Sequence, residues 1–341
     1  MSQKTKEAKQ EIKVKKESSI GTVIFSMLFY TTVSISMVFT NKFLLSQSEA
    51  KPSSFFALLI QNSATVLILI FLGLFAKKDK PLLGIPKFEY KFKKVKKILP
   101  VSACFVSMIL FGNYCLKYVD VSHFMIARSL HLVINVSLTK LFFKTNPTKG
   151  SIFSAIVVTA GFIVANLGNI RLSLLGFVFG TLASLFSVLY PIFIKLCLDG
   201  KTKETNFTQG ELLIYNNTTS LFLLVPLCLI TGDFHPSKIS LFLTKQFLGI
   251  MSISNLLSFC MSFSFIFQVK HTSPLTHQII GSMKGALQTI LAALIFKTPF
   301  SLQNGLGNGL IILGGILYAY FKSKKLMKKK VDDKDKEKKE K

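Results

Sequence analysis

The sequence predicts an all-α membrane protein, with ten transmembrane helices in a 5+5 inverted repeat. Three observations predict it. Half of the 341 residues are hydrophobic, and they come in long blocks instead of alternating with charge. The formal charge of +26 is concentrated between and beyond those blocks. A similar pattern of apolar helix, short link and cation-bearing helix occurs once in each half of the chain.

Each block must be long enough to cross ~30 Å of hydrocarbon at ~1.5 Å per residue. The first, 20–45, follows a charged tail over 1–19 and is too long for the apolar core of a signal peptide. The second, 53–76, ends at the lysine-rich stretch Lys77–Lys97. The third (97–118) and fourth (121–143) nearly touch at Lys117–Ser122. The fifth is 150–169. In the sixth, 174–198, Gly176, Gly180 and Ser184 share a face that permits close helix approach. Pro191 lacks an N–H and should break the hydrogen-bond ladder of the sixth helix locally, as a hinge or as a tolerated kink. The seventh spans 211–231. The eighth (244–268) and ninth (272–296) nearly touch at Gln268–Ser273. The tenth, 302–322, carries Gly305, Gly309, Gly314 and Gly315. Small residues of this kind pack helices within one chain or across a homodimer. Residues 323–341 offer little apolar surface and are expected to stay unfolded. The chain thus reads as a basic tail (1–19), one membrane domain (20–322) and a second basic tail (323–341).

Lysine beside membrane helices marks the cytoplasmic side. The first tail, the Lys77–Lys97 connection and, with ten helices, the second tail then share that side. This placement points to anionic membrane lipid as a contact and away from nucleic acid. Lys338 and Lys339 resemble a dilysine retrieval signal, in a tail where chance also yields one. The five cysteines all fall inside apolar blocks without metal-type spacing, so they read as buried hydrophobes. No metal or cofactor is expected. No HExxH, GxSxG or P-loop occurs, so no enzyme is expected.

The repeat is seen in CLKYVDVSHFMIARSLHLVINVSL and FIFQVKHTSPLTHQIIGSMKGALQTIL. Arg128 lies well inside the fourth helix and Lys284 near the middle of the ninth. Each cation costs ~2.5–3.5 kcal/mol at a helix centre, and such residues usually line a pathway. Two cations without an evident intramembrane acid suggest an anion supplied from outside; backbone carbonyls or water are the bland alternative. The chain has two arginines, Arg128 and Arg171, among 42 basic residues. Arginine at Arg128 suits the planar fork that grips two phosphate oxygens.

Polar neighbours follow helical spacing. Arg128, His131, Asn135 and Thr139 share one face, and His277, Gly281, Lys284 and Gln288 share another. Tyr215, Asn216 and Asn217 on the seventh helix offer a ring and two amides, fitting either a base edge or hydrogen bonds between helices. Asn41, Lys42 and Asn113 are further polar candidates.

These residues resemble a family. FTNKFLL (39–45), FGNYCLKYV (111–119), ARSL with Asn135–Val136, LGFVFGTLASL (175–185), YNN (215–217) and VKHTSPLTH with Gly281, Lys284, Gln288 and Thr289 are similar to nucleotide-sugar transporters of the drug/metabolite transporter superfamily, GDP-fucose transporters in particular. The resemblance covers about 20–322. It implies an inverted-repeat carrier in the Golgi or endoplasmic reticulum that imports a GDP-sugar and exports GMP by alternating access. GDP-mannose transporters contact the nucleotide with FYNN and GALNK motifs. Here Ile214 replaces the Phe, and Gly281, Ser282, Met283 and Lys284 form a shorter second motif without its Asn, which disfavours GDP-mannose. Plastid sugar-phosphate translocators share SPLTH but follow it with Lys-Arg, whereas Lys284 precedes Gly285. Another nucleotide-sugar carrier, a sugar-phosphate or phosphate translocator, and a non-transporting receptor or scaffold are the rival readings.

Overall fold

The computed structural model describes residues 20–44, 54–76, 82, 84–87, 91–118, 121–143, 148–166, 174–200, 207–230, 244–296 and 301–339. The side chains of residues 20, 116–129, 166, 296 and 325–339 lie outside the described set, Arg128 among them. So do the first tail and Arg171.

Ten helices follow in order: α1 Ile20–Lys42, α2 Ser54–Phe75, α3 Phe92–Tyr118, α4 Val121–Phe143, α5 Lys149–Asn166, α6 Leu174–Leu198, α7 Gln209–Ile230, α8 Lys245–His271, α9 Pro274–Phe296 and α10 Leu302–Lys339. Among the described residues there is no strand beyond an isolated bridge, Leu82 to Ile85. Eight helices contain described stretches long and apolar enough to cross a membrane; those of α4 and α5, Leu130–Phe143 and Lys149–Ala165, are shorter. The separation of α3 from α4 and of α8 from α9 falls where the chain was expected to turn. At the second turn, Thr272 ends α8 by donating its N–H to the Gln268 carbonyl, and Pro274 opens α9.

Two elements bear on the sequence expectation. α6 continues as one helix through Pro191, whose ring is buried with its neighbours Tyr190 and Ile192. Tertiary packing there outweighs the loss of one backbone hydrogen bond. α10 runs on past 322 to Lys339. Asp332 and Asp335 precede Lys336 and Lys339 by four residues, a spacing that favours helix.

The packing pairs form a pattern. α3 packs on α6 and α8 on α1; α3 packs on α7 and α8 on α2; α4 packs on α5 and α9 on α10. α2 packs on α7, α4 on α9, and α5 on α10. The α5–α10 contact is the tightest. A Cβ at Gly307 would overlap the Ala165 backbone, and one at Gly161 would lie 2.8 Å from the Gly307 oxygen. Only glycine permits that approach.

The connection before α3 is seated on the start of α7. Gly84 takes φ +77°, a left-handed conformation that glycine adopts without steric cost. Its carbonyl leaves no room for a Cβ at Gly210. Ile85 is fully buried beneath this turn.

Candidate functional site

Lys284 projects from the middle of α9 toward α1. Its ammonium donates to Ser34 Oγ at 2.7 Å and lies 5.2 Å from the centre of the Tyr30 ring. Gln288, one turn on, donates to the Ser34 carbonyl at 3.5 Å. The stripe expected on α9 therefore faces the bundle interior. On its other side Gln278 donates to the Ser187 carbonyl of α6 at 2.7 Å, and Ser282 pairs with His131 of α4 at 3.2 Å.

Gly281 and Gly285 lie on the helical wheel between the residues that reach α1 and those that reach α6. A Cβ built on either would meet nothing within 4 Å. This strip of α9, flanked by an ammonium and two amides, is open to an incoming group.

A run of aromatic contacts leads away from Lys284. His277 Nδ1 is 2.7 Å from Gln268 Oε1, and its ring meets Tyr30 at 5.0 Å and Phe265 at 4.7 Å, edge to face. Phe265 stacks on Tyr190 at 4.9 Å, and the Tyr190 hydroxyl accepts from Asn216 Nδ2 at 3.0 Å. Lys284 of α9 and Asn216 of α7 are thus joined through buried rings of α1, α6 and α8.

The three residues of the α7 motif do not converge. Consecutive helix residues point ~100° apart. The Tyr215 hydroxyl accepts from the Lys91 N–H at 2.8 Å, at the start of α3. Asn216 Oδ1 accepts from Ser102 of α3 at 3.1 Å. Asn217 Nδ2 donates to the Leu213 carbonyl at 2.8 Å and its Oδ1 accepts from Ser262 of α8 at 3.2 Å. All three are at least 95% buried. In this conformation both amides hold hydrogen bonds of the bundle, the alternative weighed against base recognition.

The remaining candidates are spread out. His131 is buried and packs edge to face on Phe162. Asn135 is fully buried, accepts from Thr139 at 2.8 Å and donates to the Pro274 carbonyl at 3.4 Å, joining α4 to the start of α9. Asn41 accepts from Gln61 at 2.8 Å and Ser254 at 3.0 Å, near the far end of α1. Lys42 is half-buried in the last turn of α1. Asn113 has a buried Nδ2 without a hydrogen-bond partner among the described residues. Arg128 sits one turn before His131 on α4, and its side chain lies outside the described residues.

Sequence reading missed Tyr30, Ser34, Gln61, Tyr190 and Gln268. Gln61 and Gln268 carried a usable signal, as amides inside apolar helices. Tyr30, Ser34 and Tyr190 carried none, because such residues are common in membrane helices. Among the described residues no group of three His, Cys, Asp or Glu side chains could hold a metal ion.

Residues 20–319 match the family model described as the triose-phosphate transporter family. A GDP-fucose transporter 1 of Dictyostelium discoideum is 35% identical over 90% of this chain and 83% of its own. A GDP-fucose transporter of Caenorhabditis elegans is 32% identical over 92% of this chain and 86% of its own. A crystal structure of a protein 13% identical superposes with a TM-score of 0.60, over 86% of this chain and 98% of that one. That last likeness bears on the fold alone.

Proposed function

The chain belongs to the triose-phosphate transporter family, and from that premise we propose that it is a nucleotide-sugar antiporter importing GDP-fucose in exchange for GMP. The observation that carries the reading is the α9 face at Lys284. An ammonium at mid-helix, beside two glycines with open space, suits a phosphate group, and a cation at such a depth usually lines a pathway.

Lys284 and Arg128, one from each half, bind the diphosphate. The Arg128 fork holds two oxygens and Lys284 neutralises the second charge. Ser34 holds the ammonium in the empty carrier and releases it to the ligand. Ser282, His131, Asn135 and Gln288 frame the anion. Tyr215, Asn216 and Asn217 read the guanine, which requires the amides to exchange their bundle hydrogen bonds for ligand. Asn41, Lys42 and Asn113 lie toward the sugar. The mirrored packing pairs support a 5+5 inverted repeat, in which ten helices span the membrane and the site lies at the repeat interface. A filled carrier, its cations matched by the phosphates of the ligand, crosses over to release its cargo on the other side. The Golgi or endoplasmic reticulum membrane, with both termini cytoplasmic, is the proposed location.

The test uses purified protein in liposomes preloaded separately with GMP, UMP, AMP, CMP or phosphate and offered labelled GDP-fucose. Uptake with GMP inside is expected. Uptake driven equally by UMP or by phosphate would move the assignment to another nucleotide sugar or to a sugar phosphate. In the same assay Lys284→Ala abolishes exchange while the protein stays folded; exchange at the wild-type rate refutes the site.

A further inference from the structure

The two ends of the bundle are held by different chemistry, although the helix pairs that hold them are equivalent in the two halves. Gln61 and Asn62 occupy on α2 the place that Asn216 and Asn217 occupy on α7. Gln61 donates to Ser254 of α8 at 2.7 Å, and Asn216 accepts from Ser102 of α3 at 3.1 Å. Asn62 donates to the Asn217 carbonyl at 3.0 Å, so the two pairs meet. From that level α3 and α7 lead outward to one end of the bundle, and α2 and α8 to the other.

One to two turns outward along α3 and α7, Lys94 Nζ lies 2.5 Å from Glu211 Oε1. The second Glu211 oxygen accepts from the Thr208 N–H at 2.9 Å, which secures the carboxylate in the first turn of α7. The ammonium lies 5.3 Å from the centre of the Phe207 ring. The equivalent level of α2 and α8 is an apolar cluster: Leu44, Ala57, Phe247 and Met251, each no more than 4% exposed.

We infer that Lys94 and Glu211 form an ionic latch on a gate between α3 and α7, while the described residues at the opposite gate, between α2 and α8, pack as an apolar seal. This rests on the alternating-access reading above. The latch charges are 20% and 25% exposed, so water rehydrates them as they part, and they close over a buried apolar cluster that includes Ile98, Val101, Leu212 and Ile214. The seal opens only by exposing buried apolar side chains. Neutralising one latch residue therefore loosens the α3–α7 gate and, because the two gates alternate, shifts the carrier away from opening between α2 and α8.

Cys104 reports on the latch. It is 5% exposed on α3 and packs in the same cluster as Val101, Ile214 and Tyr215. In a chain retaining Cys104 alone, Glu211→Gln should raise its rate of maleimide labelling about tenfold. The Lys94→Glu, Glu211→Lys double variant should return the rate to near its starting value, and Met251→Ala should not raise it. An unchanged rate in Glu211→Gln, a rise that the swap does not reverse, or an equal rise in Met251→Ala overturns the latch. A cysteine-free chain carrying Lys94→Cys and Glu211→Cys guards against misfolding. Bridging that pair with a short bis-methanethiosulfonate should stop exchange, and reductant should restore it. Exchange by the bridged protein at the reduced rate also overturns the inference. Labelling of Cys104 counts gate opening whatever the cargo, so failure of the GDP-fucose assignment and failure of the latch are distinguishable.

Discussion

Gly281→Ala separates substrate space from folding. The added Cβ meets nothing within 4 Å, so the empty protein accommodates it without a clash. Replacing a mid-helix glycine by alanine favours the helix by ~0.5–1 kcal/mol, so thermal stability should hold or rise slightly. The loaded carrier is different. If the cargo lies against the bare strip beside Lys284, the methyl group intrudes on it. Overpacking of a filled site costs ~1–3 kcal/mol, which weakens apparent affinity about 5- to 150-fold. The assay is GDP-fucose/GMP exchange in liposomes as a function of outside concentration, with a melting curve of the same preparation. A raised KM at unchanged or higher Tm is expected. An unaltered KM would remove the α9 strip from the site, and a lowered Tm would show that the space is not open.

Gly307→Ala should behave in the opposite way: its Cβ would lie 2.5 Å from Ala165 Cα and Cβ, so α5 and α10 must separate and Tm should fall, whereas Gly309→Ala, with nothing within 4 Å, should leave it unchanged. Ser102→Ala removes the donor to Asn216 Oδ1 and should cost about 1 kcal/mol of stability, read as a lower Tm. Arg128→Lys keeps the charge but loses the two-oxygen grip, so exchange should fall about tenfold or more while Lys284→Arg at the facing repeat does not rescue it.

Much of this protein was legible in the chain because the relevant forces are local. An apolar block of sufficient length must be a helix, since in lipid its backbone can satisfy its hydrogen bonds only internally. The expected blocks at 121–143 and 174–198 coincide with α4 and α6. The cation at Lys284 stood out because its insertion cost is a property of one residue at one depth, and its face was readable from a 3.6-residue period. The α7 motif was harder. Three adjacent polar residues looked like one recognition surface, but the helix fans them toward α3, α6 and α8. The extension of α10 shows another limit: composition speaks to the absence of a core, not to whether a charged helix continues from a packed one.

By itself, then, the sequence determined where the apolar helices lie, which of them carry Arg128 and Lys284, and which family they resemble. Tertiary structure decided what each polar group meets. Ser34 became the partner of Lys284, Gln268 that of His277, and Lys94 that of Glu211, across 250, 9 and 117 residues of chain. The reason is physical. Helix formation is set within a few turns, whereas two of these three contacts join helices from opposite halves, and no local period encodes which of them will touch.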